Sequence, residues 1–145
     1  MIYKTMAIED LKLHEKRKMS IQNLREKIEA LECEKSSLRG TSDSVPVMGG
    51  DINRQETKIV NAISEQERLR IQLQSVAKHV NRVERALNSL TENERLVLDR
   101  FYINGQKDCI ARLQNDLGYE KAHIYRVKDK ALYDFTIALY GICEL

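Results

Sequence analysis

From Ile59 to Leu90 apolar residues recur in alternating steps of three and four: Ile59, Ala62, Gln66, Leu69, Leu73, Val76, Val80, Val83, Leu87 and Leu90, with Gln66 the one polar member. That spacing keeps a narrow stripe on one side of an α-helix and is the heptad signature of a seam facing another helix. A helix over about residues 52 to 89 would be roughly 55 Å long at 1.5 Å per residue, too long for one compact core to wrap. A shorter run, Ile21, Leu24, Ile28, Leu31 and Leu38, precedes it, with Lys35 interrupting. Continued backward, this frame weakens, because it lands on Arg17, His14 and Asp10.

Between the two runs, GTSDSVPVMGGD (residues 40–51) holds the only Pro and three of the six Gly, the composition of a linker or turn. Gly49 and Gly50 are no phosphate loop, since no Gly-Lys-Ser/Thr follows. Residues 1–90 are therefore expected to form a long helical hairpin or coiled coil. A narrow seam buries little in an isolated pair, so self-association is expected, most simply as a homodimer. Leu69, Leu73, Val76, Val80, Val83 and Leu87 are the candidate contact residues, with Gln66 placed to specify register. A two-helix coiled coil within one chain satisfies the same spacing.

SLTENERLVLDRFYI (residues 89–103) opens a second region, 91–145. Thr91 followed by Glu94 is a capping box: the hydroxyl accepts from the Glu94 amide and the carboxylate returns to the Thr91 amide. Leu96, Val97, Leu98, Phe101 and Tyr102 supply the apolar side of this helix, and Asn104-Gly105 ends it. A second helix from about Lys107 uses Ile110, Leu113 and Leu117 and stops at Gly118. A third runs from near Glu120 to about Tyr140, with Ile124, Val127, Ala131, Leu132, Phe135 and Leu139 inward. Helix, glycine turn and helix, with apolar residues six and nine positions after the glycine, is the spacing of a helix-turn-helix. The whole chain is thus expected to be all-α.

The exposed start of the third helix is the part that such motifs point at bases. Lys121, Ala122, His123, Tyr125 and Arg126 are therefore candidate DNA-binding residues, and Lys128 and Lys130 candidate phosphate contacts. Net charge is only +2, and residues 91–145 carry eight basic against nine acidic groups, so no global field announces nucleic acid. The positive charge is instead local: residues 121–130 hold Lys121, Arg126, Lys128 and Lys130 against Asp129.

Other classes find little support. His14, His79 and His123 form no H-E-x-x-H or comparable pair, and Cys33, Cys109 and Cys143 are too far apart for a C-x-x-C site. No enzyme activity and no cofactor or metal is expected. An odd cysteine count fits a reducing, cytoplasmic setting. The first residues, MIYKTMAIEDLKLHEKRKM, lack the apolar core of a signal peptide, and no stretch reaches the length of a membrane span.

LTENERLVLDRFYINGQ followed by LGYEKAHIYRVKDKAL resembles region 4 of sigma-70 factors. It is still more similar to the ArpU/RinA-like transcriptional regulators of Gram-positive bacteriophages, in the Leu-Gly-Tyr-x-x-x-x-Ile-Tyr-Arg run and the Leu-Tyr-Gly at 139–141. The motif-level likeness covers about residues 89–141. It departs from the common motif at Gln114, where a small residue usually stands, and at Glu120, where a Ser cap is usual. The resemblance implies sequence-specific binding of double-stranded DNA and activation of late phage genes in the bacterial host. Contact with host RNA polymerase follows by analogy with sigma factors. Two alternatives remain: a small terminase subunit recognising packaging DNA, and a coiled-coil scaffold whose C-terminal bundle binds protein.

Overall fold

The computed structural model describes residues 2–41 and 49–144, with side chains throughout except at 39–41 and 49–52. Its described residues are all-α: α1 (Ile2–Thr41), α2 (Gly49–Asn88), α3 (Glu92–Leu98) continued by a π turn (Asp99–Ile103), α4 (Cys109–Leu117) and α5 (Lys121–Tyr140). The middle of the expected linker, 42–48, lies outside the described residues. On either side of it the chain is helical to Thr41 and from Gly49.

Contacts divide the chain into two compact units, Met1–Lys18 with Lys78–Leu145, and Met19–Ala77. This division differs from the sequence boundary at Leu90–Thr91, because the last turns of α2 belong to the core of the C-terminal helices. In the first unit, Ala7 and Leu11 of α1 and Val83, Ala86 and Leu87 of α2 pack with Leu98, Ala131, Leu132 and Phe135. A second cluster, Val97, Leu113 and Ile124, joins α3, α4 and α5. Helix α5 serves both: Ile124 and Val127 meet the second cluster, and Ala131, Leu132 and Phe135 the first. The first turn of α1 is capped from the far end of the chain, where Glu144 Oε1 accepts from the Ile2 amide at 2.8 Å and the Tyr3 amide at 3.3 Å.

The frame that weakened at Arg17, His14 and Asp10 in fact continues inward. Asp10 is 6% and His14 1% exposed. Asp10 is tolerated there because it has three donors, and His14 has a partner at Nε2 while its buried Nδ1 has none; a buried polar group without partners is costly. Asp10 accepts from Arg17 Nη1 at 2.8 Å, from His79 Nε2 at 2.9 Å and from the Tyr140 hydroxyl. His14 Nε2 donates to Glu84 Oε1 at 2.7 Å, and Glu84 also pairs with Lys18 at 3.1 Å and Arg95 at 3.2 Å. Burial raises the Asp10 pKa, but the Tyr140, Arg17 and His79 bonds outweigh it and the net shift is down. Burial, then the bond to Asp10, pushes the Tyr140 phenol up.

In the second unit the later part of α1 runs antiparallel to the earlier part of α2: Ser20 and Leu24 face Gln72 and Val76, and Ile28 and Glu32 face Gln66. Gln66, 1% exposed, donates to the Ile28 carbonyl and to Glu32, both at 3.0 Å. Lys35, the interruption in the α1 run, is also buried, with its amine 3.0 Å from Glu32. Every position of the α2 seam from Ile59 to Leu90 is buried or half-buried, so the periodicity identified the inward face. Its partner, however, is the same chain. Val80, Val83 and Leu87 are buried in the first unit and Leu69 is 4% exposed in the second, so in this chain all four face its own helices. Leu73 and Val76 remain half-covered.

Thr91 caps α3, accepting from the Glu94 amide at 3.3 Å. The Glu94 carboxylate takes the Thr91 hydroxyl at 3.1 Å instead of returning to the backbone, so only half of the expected box forms. Thr91→Ala should still cost about 0.5 to 2 kcal/mol. Urea unfolding followed by tyrosine fluorescence measures this, because all six Tyr lie in the first unit and the chain has no Trp.

Candidate nucleic-acid interface

The turn between α4 and α5 is Gly118, Tyr119 and Glu120. Gly118 closes α4 at φ 70°, with its amide donating to the Gln114 carbonyl at 2.9 Å. A side chain there would be strained in the left-handed region, which is why glycine ends this helix. Gln114 is exposed, and it is Leu113 that fills the α4–α5 contact, so the missing small residue leaves that packing undisturbed. Glu120 takes the N-cap position with extended backbone (φ −70°, ψ 154°) and makes no side-chain cap. Its charge favours the helix dipole, yet it stands beside any phosphate that would approach the same amides.

The turn is held from both sides. Asn93 of α3 donates to the Tyr119 hydroxyl at 3.0 Å, and the Tyr119 ring meets His123 edge-on at 4.5 Å between centroids. Buried Ile124 pins the first turn of α5 against Val97 and Leu113. What remains outward is the set expected from sequence: Lys121, Ala122, His123, Arg126 and Lys130 are exposed, and Tyr125 is 37% exposed. Arg126 lies along the helix with Nε 3.4 Å from the Ala122 carbonyl, a long contact that a better acceptor would replace.

Lys128 behaves differently. Its side chain is only 20% exposed, with Nζ 5.1 Å from the Tyr125 ring centre, 5.4 Å from that of Phe101 and 3.6 Å from Asp129. It is a cation held over two aromatic faces and braces Tyr125 more than it offers a free charge. Tyr125 and Phe101 are themselves in tilted contact at 6.2 Å. Phe101 reaches this position from the π turn, where the Asn104 amide bonds to Asp99 O at 2.8 Å, five residues back. Such turns carry no distinctive residue pattern, and nothing in the sequence pointed to it.

The two polar networks around Asp10 and Glu84 were not expected from sequence, where His14 and His79 are read only as possible metal ligands. The signal was present in the inward frame of Asp10, His14 and Arg17. Among the described residues no group of three or more His, Cys, Asp or Glu is placed to hold a metal ion, and no helix is long and apolar enough to cross a membrane. Comparison with family models, with curated proteins and with solved structures finds no match for this chain.

Proposed function

We propose that the chain is a sequence-specific DNA-binding transcription regulator of the phage type that its C-terminal half resembles, an activator of late genes. One observation carries this: the start of α5, after a glycine-closed three-residue turn, leaves Lys121, Ala122, His123, Tyr125 and Arg126 outward while Ile124 anchors the helix from behind. A helix presented in this way fits the major groove, where the Arg126 guanidinium matches the two acceptors of a guanine and Tyr125 offers a rigid, braced edge. Lys121 and Lys130 add attraction to the phosphate backbone, which salt screens. Contact with host RNA polymerase is part of the same proposal and rests on the likeness to sigma factors alone.

Arg126→Ala should cost about 1 to 3 kcal/mol of binding to a selected duplex and relax its sequence preference. Selection from fragments of a host and phage genome, followed by titration of wild type and variant, is the test. Equal binding of both to the selected duplex would make the helix-turn-helix purely structural.

A homodimer belongs to the proposal through the second unit. Two helices bury Ala62, Gln66 and Leu69 there but leave Met19, Val60, Ile63 and Ile71 exposed and the rest of the seam half-covered. Val60 and Ile71 share the face of α2 turned away from the intrachain seam, and Ile63 flanks it. Replacing Val60 and Ile71 by Asp should give a monomer in light scattering with helicity kept. A wild-type monomer at tens of micromolar would remove the dimer.

A further inference from the structure

We propose that Lys78, Arg82 and Arg85 of α2 form a second contact to the DNA backbone, outside the α5 surface and independent of base sequence. The inference rests on the DNA-binding reading above and deepens it. At 3.6 residues per turn the three positions fall within an arc of about 60°. Val80, Val83 and Leu87, which face the core, lie on the opposite side of the helix. All three cations are exposed, and none has an ion pair or hydrogen bond among the described residues. Three other cations of this unit are paired, Arg95 and Lys18 with Glu84 and Arg100 with Asp116. Glu84, the one carboxylate lining this face, is already taken by His14, Lys18 and Arg95. The row is therefore an unneutralised positive strip, with Asn81 beside it as a further donor.

Its position suits a backbone contact. The row spans about 10 Å of helix, the axial rise of about three nucleotides in one strand. It belongs to the same compact unit as α5, so the two surfaces move together. A chain of direct contacts links them: Asn88, one turn beyond Arg85, bonds to Arg95 of α3, and Asn93 of the same helix bonds to Tyr119 in the turn that starts α5. Two Arg and one Lys whose one acidic neighbour on this face, Glu84, is engaged by other cations favour a polyanion of regular spacing over a protein surface, which presents mixed charge.

The test is fluorescence anisotropy with a mixed-sequence duplex of about 30 base pairs over a salt series, since each phosphate contact contributes about 0.9 to the slope of log affinity against log salt. Lys78→Gln/Arg82→Gln/Arg85→Gln should flatten that slope by about two to three, and each single change by about one. Arg82→Lys/Arg85→Lys should keep it. Circular dichroism checks that helicity is retained, and the single variants carry the test if the triple variant is not folded. An unchanged slope, with wild type binding the duplex, overturns the proposal and leaves the strip to an acidic protein partner. If wild type binds neither this duplex nor selected fragments, the DNA-binding reading itself fails.

Discussion

Phe135→Ala is expected to destabilise the unit formed by residues 1–18 and 78–145 by about 3 to 5 kcal/mol, the usual range for removing a fully buried aromatic ring. Phe135 is 0% exposed and the largest side chain buried in this unit, set among Ala7, Leu11, Val83, Leu87 and Leu98. Small Ala7, Ala86 and Ala131 around it have little side chain to move into the space left. The hole would therefore stay open, which puts the cost at the upper end of the range. Urea unfolding read by tyrosine fluorescence isolates this unit. A loss below about 1 kcal/mol would mean that the terminal segments are not packed on α5 as described. DNA affinity at low temperature, where the variant stays folded, should change little, because Phe135 lies in the half of α5 away from Lys121 and Arg126.

Acid should unfold the same unit through Glu84. Burial raises its pKa, but bonds from His14 and Lys18 and the Lys18 charge outweigh this and bring the group down to about 2, from an ordinary value of 4.5. The native carboxylate thus holds its proton less tightly than the unfolded one. Its stabilisation is complete above pH 4.5 and is lost as pH falls through the interval from 4.5 to about 2. A shift of this size on a side chain 28% exposed contributes about 2 to 3 kcal/mol after allowance for solvent screening. Asp10, whose pKa is also lowered, acts in the same direction. Glu84→Gln should lower stability at pH 7 and shrink the loss between pH 4.5 and 2. An acid profile of the variant parallel to that of wild type would remove Glu84 from this role.

Phosphate contacts and base contacts separate in these variants by their salt dependence. Arg126→Ala should alter which duplex is preferred, and the Lys78, Arg82 and Arg85 changes should weaken all duplexes alike. Both surfaces belong to a unit whose two halves of α5 serve different cores, so a helix that presents side chains to a groove is braced by a cluster of its own.

Local chemistry made much of this legible in advance. The three-and-four spacing from Ile59 to Leu90 determines which side of α2 turns inward, because it depends only on helix geometry. Thr91 and Gly118 mark a helix start and stop through bonds to atoms three or four residues away. The outward set at Lys121, Ala122, His123, Tyr125 and Arg126 follows from the inward Ile124 and Val127 by the same periodicity. What periodicity does not contain is the identity of the partner. In this chain Val83 and Leu87 meet Ala7, Leu11 and Phe135, up to 80 residues away. The same holds for charge. Asp10 and His14 broke the apolar frame on paper, and besides Arg17 of the same helix their partners are His79, Glu84 and Tyr140, brought to them by tertiary packing. Lys128 is the reverse case: a cation at a surface-like position that Phe101 and Tyr125 draw onto their faces. Sequence determines which faces are apolar, since that is a property of neighbours along the helix. Tertiary structure decides whether Asp10, His14 and Gln66 acquire the partners that go with their burial, since His79, Tyr140, Glu84 and the Ile28 carbonyl come from distant parts of the chain.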